Sequence, residues 1–178
     1  MITTYLIISH LVSDFLLQPV RLIKWKMRSY KGTVFHVFIF ELISLLFLFP
    51  YLARWETWVI VAIIGIVHFF TDQAKINIEL KNDTSDVPFI ADQGIHYLSL
   101  VLGGHFLDSL KMESCYKWLE TCLYQDVSLW MIIMGIIYLI YCTKIALMHK
   151  TRKTILQKIL VFTLVYLVYF GTVIVVFK

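Results

Sequence analysis

The sequence predicts an all-α integral membrane protein of six transmembrane helices, with a short basic interfacial helix after the first. Three observations carry that expectation. Hydrophobic residues make up 60% of the chain and charged residues 16%, with a mean hydropathy of +0.78; a soluble core of this size does not bury so much apolar surface, so the excess faces lipid. Apolar runs close to the ~20 residues that a bilayer core takes recur six times, near 2–18, 33–53, 57–75, 88–107, 127–148 and 154–177. The connections between them alternate in charge.

The first run, MITTYLIISHLVSDFLLQ, has no basic leader, is broken by His10 and Asp14 and shows no small-residue cleavage site, so it reads as a retained span. The next stretch, QPVRLIKWKMRSYKG, interleaves Leu22, Ile23, Trp25 and Met27 with Arg21, Lys24, Lys26, Arg28 and Lys31. That pattern suits a helix lying in the headgroup layer, and residues 19–32 either set topology alone or bind anionic lipid headgroups. The second connection has only Arg54 and Glu56; the third has Lys75 at its edge and Lys81. Gly103 and Gly104 mark a place where the fourth span could break. Residues 108–126 mix charges and hold Cys115 and Cys122, whose separation of seven spans roughly 10 Å on a helix, too far for a disulfide unless the loop is irregular. Lys144, Lys150, Arg152, Lys153 and Lys158 gather around the last connection.

Basic connections lie on the cytoplasmic side. The odd-numbered connections therefore face inward and both termini face outward, in what would be the inner (plasma) membrane of a bacterium. The basic residues follow topology, so no nucleic-acid partner is expected. Without repeats or low-complexity tracts, residues 1–178 form one membrane domain: 1–107 with a polar site, 108–126 as an extracytoplasmic segment, and 127–178 as two further helices.

The polar site follows from a spacing. His10 precedes Asp14 by four, His68 precedes Asp72 by four, and Asp92 precedes His96 by four in the reverse order. Positions i and i+4 share a helical face. With the first and third spans running inward and the fourth outward, all three pairs sit at one depth, imidazoles about one turn deeper than carboxylates. His36, at the head of the second span, joins the same layer. Chance produces three such pairs among six histidines with odds on the order of 1%. An isolated pair reads as a hydrogen-bonded couple; three aspartates near mid-membrane cost about 2.5–3.5 kcal/mol each, and a divalent cation offsets that directly.

The expected metal ligands are therefore His10, Asp14, His36, His68, Asp72, Asp92 and His96. Seven exceed one tetrahedral ion and suit two ions about 3.5–4 Å apart, as Zn, Mn or Fe. Gln18, Gln73, Gln93 and Lys75 are the supporting polar residues, with Lys75 read first as a lysine snorkelling at a helix end and second as a phosphate ligand. Glu41, about 140° round the helix from His36, faces another neighbour, and His105 and His149 read as interfacial.

The blocks HLVSDFLLQ at 10–18, HFFTDQAK at 68–75 and FIADQGIH at 89–96, with His36 between them, resemble the bacterial membrane family called domain of unknown function 3307 over roughly residues 1–107. The family often carries a second polar residue one turn after the His of the second span; Phe40 stands there. The arrangement is also similar, at the level of fold alone, to helical membrane proteins regarded as metal-dependent hydrolases. The leading expectation is a membrane-embedded metal-dependent hydrolase acting on a phosphate ester or anhydride, lipid or lipid-linked, at the cytoplasmic face, with Asp14, Asp72 and Asp92 as catalytic carboxylates and one of them as general base. Two alternatives stand beside it: a divalent-cation or proton transporter, and a non-catalytic membrane protein whose polar cluster is structural.

Overall fold

The computed structural model describes residues 2–81, 86–110, 127–148 and 152–176, and every element among them is helical. In chain order these are α1 (Ile2–Leu11), a π-helical turn (Val12–Leu16), α2 (Val20–Arg28), α3 (Tyr30–Phe47), a 3₁₀ turn (Phe49–Tyr51), α4 (Trp55–Glu79), α5 (Val87–Ser109), α6 (Val127–Met148) and α7 (Arg152–Val176). Cys115, Cys122 and His149 lie outside the described residues. Cys142 is a free thiol on α6.

Four helices are long and apolar enough to cross a bilayer: Tyr30–Phe47, Trp55–Glu79, Ser128–Leu147 and Thr154–Val175. A fifth is counted if Ile2–Leu16 and Val20–Arg28, which meet at 90°, form one broken span. The helix α5 spans 23 residues, but Asp92, Gln93 and His96 lower its hydropathy, and it is not among the four.

The contacts describe an up-and-down bundle. Ser9 Oγ meets Ser44 Oγ of α3 at 2.9 Å, and Ile2 N donates to Asp108 of α5 at 3.0 Å, so α1 is antiparallel to both. Tyr5 packs on Trp130, with ring centroids 5.7 Å apart, and Phe15 on Tyr141 at 4.6 Å, so α6 runs parallel to α1. All ten residues of α1 are buried. A helix buried around its whole circumference sits at a centre, and α3, α5, α6 and α7 pack round it. Their outward faces carry Phe38, Leu42, Ile63, Ile66, Leu98, Leu102, Ile136, Leu139, Leu160 and Leu164, all exposed, which suits hydrocarbon contact.

Two small-residue contacts set how close the helices come. A Cβ on Gly104 would lie 2.5 Å from Thr3 Cα, so α5 touches the α1 backbone; one on Gly32 would lie 2.6 Å from Lys26 N, so α3 presses on α2. Gly103 faces Ile60 and Ile64 of α4 in the same way. The two glycines that looked like a break in the fourth span are close-packing positions, and α5 passes through them unbroken.

The ends of the bundle are tied by charge. Asp108 accepts from Ile2 N, Thr3 N and Thr3 Oγ1 at 3.0, 3.5 and 3.0 Å, acting as a borrowed N-cap for α1. Asp108→Ala should cost about 1 kcal/mol, as for loss of a cap, read as a lower melting temperature in detergent. At the opposite end Asp86 binds Lys158 and Gln157 of α7. The hydrogen bond from Lys158 is the main reason that the Asp86 carboxyl is held below its usual range.

Candidate metal centre

Four helices bring the site together at the end of the bundle that bears α2. The π turn sets the first carboxylate. Leu17 N bonds Val12 O at 2.8 Å, an i to i+5 link, and the widened turn shifts Asp14 round the axis from where an α-helix would hold it. Such turns recur at functional sites. Ser13 Oγ steadies it by donating to His10 O at 2.9 Å and to Asp14 Oδ1 at 3.3 Å.

At the centre, His36 Nε2 and His68 Nε2 face one another at 3.2 Å. Asp14 Oδ1 lies 3.2 Å from the first and 3.5 Å from the second. Asp72 Oδ2 lies 3.8 Å from both. For donors bonded to a tetrahedral zinc at 2.0–2.1 Å, neighbouring ligand atoms are separated by roughly 3.3 Å. These separations bracket that value, and His36, His68 and Asp72 form one set with the spacing of metal ligands, beside which Asp14 approaches the two imidazoles. His10 Nδ1 is 3.6 Å from Asp14 Oδ1, and its ring stands 5.4 Å from that of His68, centroid to centroid.

A second group adjoins the first through Asp72. Its other oxygen, Oδ1, lies 3.9 Å from His96 Nε2, which in turn is 3.2 Å from Asp92 Oδ1. The His96–Asp92 approach lacks hydrogen-bond geometry, and both atoms are buried without a hydrogen-bond partner. Buried polar atoms are almost always paired, so an unpaired nitrogen and oxygen aimed at one another have the disposition of two ligands of one ion. His68 and His96 stack at 4.0 Å, which fixes the two groups side by side. Three sets of buried side chains could thus hold a metal: His10 with Asp14 and His68, His36 with His68 and Asp72, and Asp72 with Asp92 and His96.

All seven expected ligands are brought together and buried. Of the supporting residues, Gln93 Oε1 meets His10 Nε2 at 3.4 Å and Gln18 Nε2 meets His36 Nε2 at 3.3 Å. Gln73 does not join; it turns away to Thr33 of α3. Lys75 does not snorkel. Its ammonium pairs with Asp92 Oδ2 at 2.8 Å, because a buried carboxylate is a stronger partner than the headgroup layer is a solvent. Glu41 lies against Gly65 of α4, away from the site, and His105 is exposed.

The sequence reading missed Lys26. It comes from α2 and contacts Asp72 Oδ2, with only 7% of its side chain exposed. Lys24, Arg28 and Lys31 nearby are exposed, and the signal that separates Lys26 from them is the tight Gly32 contact that presses this point of α2 on the bundle. Three carboxylates, Asp14, Asp72 and Asp92, are thus met by two ammonium groups, Lys26 and Lys75.

Asp14, Gln18, Lys26, Asp72, Lys75 and Gln93 all line a cavity of about 180 Å³. Carboxylates and lysines therefore face the same small space.

Residues 2–122 match the family model described as Protein of unknown function (DUF3307). The chain belongs to this family. All seven candidate ligands and Lys26 fall inside the DUF3307 region, whereas α6 and α7 lie beyond it. No curated protein and no solved structure matches the chain.

Proposed function

We propose that this DUF3307 protein is a membrane-embedded metal-dependent hydrolase of a phosphate ester or anhydride, lipid or lipid-linked, opening to the cytoplasm. The observation that carries this reading is the Asp72 carboxylate, one oxygen of which faces His36 and His68 while the other faces His96. Divalent ions of Zn, Mn or Fe character, given donors of nitrogen and oxygen without thiolate, would be held by these groups, with Asp72 offering an oxygen to each. Divalent ions there would polarise a phosphoryl oxygen and supply a water nucleophile near neutral pH.

The chain's own groups do the rest. Asp14 and Asp72 line the cavity, so one of them accepts the proton of the attacking water. Lys26 and Lys75 project into the same space and bind phosphoryl oxygens as point charges. Gln93 orients His10 through Nε2, leaving Nδ1 towards Asp14. Attack by water forms the new P–O bond as the ester or bridging oxygen leaves with its electron pair.

The same reading takes α1 with its π turn, and α5, as membrane spans, giving six. Antiparallel packing of α1 and α5 through Asp108 and Gly104 supports it. It places α2, rich in basic residues, in the cytoplasmic headgroup layer of a bacterial inner membrane against anionic lipid, with both termini outside.

Elemental analysis of protein purified without added chelator is the test. The wild type is expected to retain divalent metal in stoichiometric amount and to hydrolyse a phosphate monoester. The His36→Ala/His68→Ala variant is expected to lose the metal, with affinity down at least about tenfold, together with activity. Folded wild-type protein free of metal, or full metal content in the Asp72→Ala/Asp92→Ala variant, would refute the assignment.

A further inference from the structure

Beyond the lysine-lined cavity lies a second, of about 190 Å³, that no step of the hydrolysis uses. The two share Gln18, Ile23, Glu79, Phe89 and Tyr141 in their walls, so they adjoin. Their linings differ in kind. The first holds Asp14, Asp72, Lys26 and Lys75; the second is walled by Ile145, Val161, Phe162 and Tyr141. Its aromatic side is built from rings in mutual contact, with Tyr141 and Phe162 4.4 Å apart and Phe15 4.9 Å from Phe162, so the wall is rigid.

Two cations stand in this second cavity. Lys158 is held by Asp86, but Lys144 donates to the Gln18 carbonyl and has no carboxylate partner among the described residues. An ammonium group in contact with no carboxylate among the described residues, half-buried at the junction of a polar and an apolar space, is placed to meet an anion. Going outward from the carboxylates, the order is metal-ligating acids and imidazoles, then lysines, then aliphatic and aromatic side chains. Either cavity alone is smaller than an ordinary ligand pocket, and the two joined reach the lower end of the ~300–1,000 Å³ range.

We propose that the joined cleft binds an anionic amphiphile, a monoalkyl or lipid phosphate, with the phosphate against Lys26, Lys75 and Lys144 and the first part of its hydrocarbon chain between α6 and α7. This assignment rests on the hydrolase reading for the fate of the phosphate, but the binding it describes stands apart from turnover. It gives α6 and α7, which lie outside the DUF3307 region, the task of choosing the substrate by its apolar part.

The test is binding of butyl phosphate and octyl phosphate to the full chain in zwitterionic lipid nanodiscs, with empty discs subtracted. Each methylene taken from water into an apolar cavity is worth roughly fourfold in affinity. Wild type is expected to prefer octyl over butyl phosphate by at least about tenfold. In Val161→Trp, which fills the apolar cavity, that preference should fall towards unity; Ile145→Phe serves the same purpose if the first variant does not fold. Lys144→Gln should weaken both phosphates to a similar degree. An undiminished preference in a folded cavity-filling variant overturns the proposal, as does equal binding of the two phosphates, or of neither, by wild type. Chain-length preference without hydrolysis would sink the hydrolase reading and leave this one standing; hydrolysis with no preference for the longer chain would do the reverse.

Discussion

Asp72→Ala is expected to destabilise the protein by about 3–5 kcal/mol and to strip it of metal. Asp72 contacts Lys26, and both side chains are buried, with 1% and 7% exposure. Removing one partner of a buried ion pair leaves the other charge uncompensated in a low-dielectric interior, which is the origin of the magnitude. Lys26→Met introduced into the same chain should restore most of the lost stability, because an apolar side chain of similar length replaces the stranded ammonium. Metal should not return, since Asp72 is the side chain shared by the two ligand groups. Thermal unfolding and elemental analysis of wild type, both single variants and the double variant separate these effects. Equal stability of Asp72→Ala and the double variant would show that Lys26 does not depend on Asp72.

Gly104→Ala is the second large effect. The added Cβ would meet the Thr3 backbone at 2.5 Å, and backbone cannot rotate aside, so α1 and α5 must separate. Overpacking of this kind costs typically 1–3 kcal/mol. The consequence reaches the site, because α1 carries His10 and α5 carries His96, whose rings are 5.0 Å apart. Metal affinity is expected to fall at least about tenfold. Gly94→Ala is the matched control, since nothing lies within 4 Å of its added Cβ, and it should match or exceed wild-type stability through helix propensity. Similar melting temperatures for the two variants would contradict the close α1–α5 contact.

Much of the site was legible because its information is periodic. A pair at i and i+4 shares a face whatever the fold, and the order of His and Asp in each pair follows the direction of its helix; together they suffice to gather His10, Asp14, His68, Asp72, Asp92 and His96. Gln73 and Gln93 each follow an aspartate, so spacing alone does not tell that Gln93 reaches His10 while Gln73 turns to Thr33. The remainder depends on three-dimensional events with no local signature. Lys26 resembles Lys24 and Arg28 in sequence, and only the 90° bend before α2 and the Gly32 contact decide which of them turns inward. The π turn at Val12–Leu16 has no composition of its own. An apolar helix reads the same whether lipid or protein surrounds it, so the central position of α1 could not be told from its residues. In α5 the buried polar residues Asp92, Gln93 and His96 themselves dilute the apolar signal by which a span is recognised.

The enclosure of α1 has a bearing on biogenesis. The helix α1 precedes in the chain every helix that packs on it, and Asp108, which accepts from Ile2 N, comes 106 residues later. While the ribosome is still working, its histidine and aspartate have no companions, and the segment must wait, loosely held, until the remaining walls arrive. Assembly of the buried histidine and aspartate cluster is therefore complete only once α5 has been made.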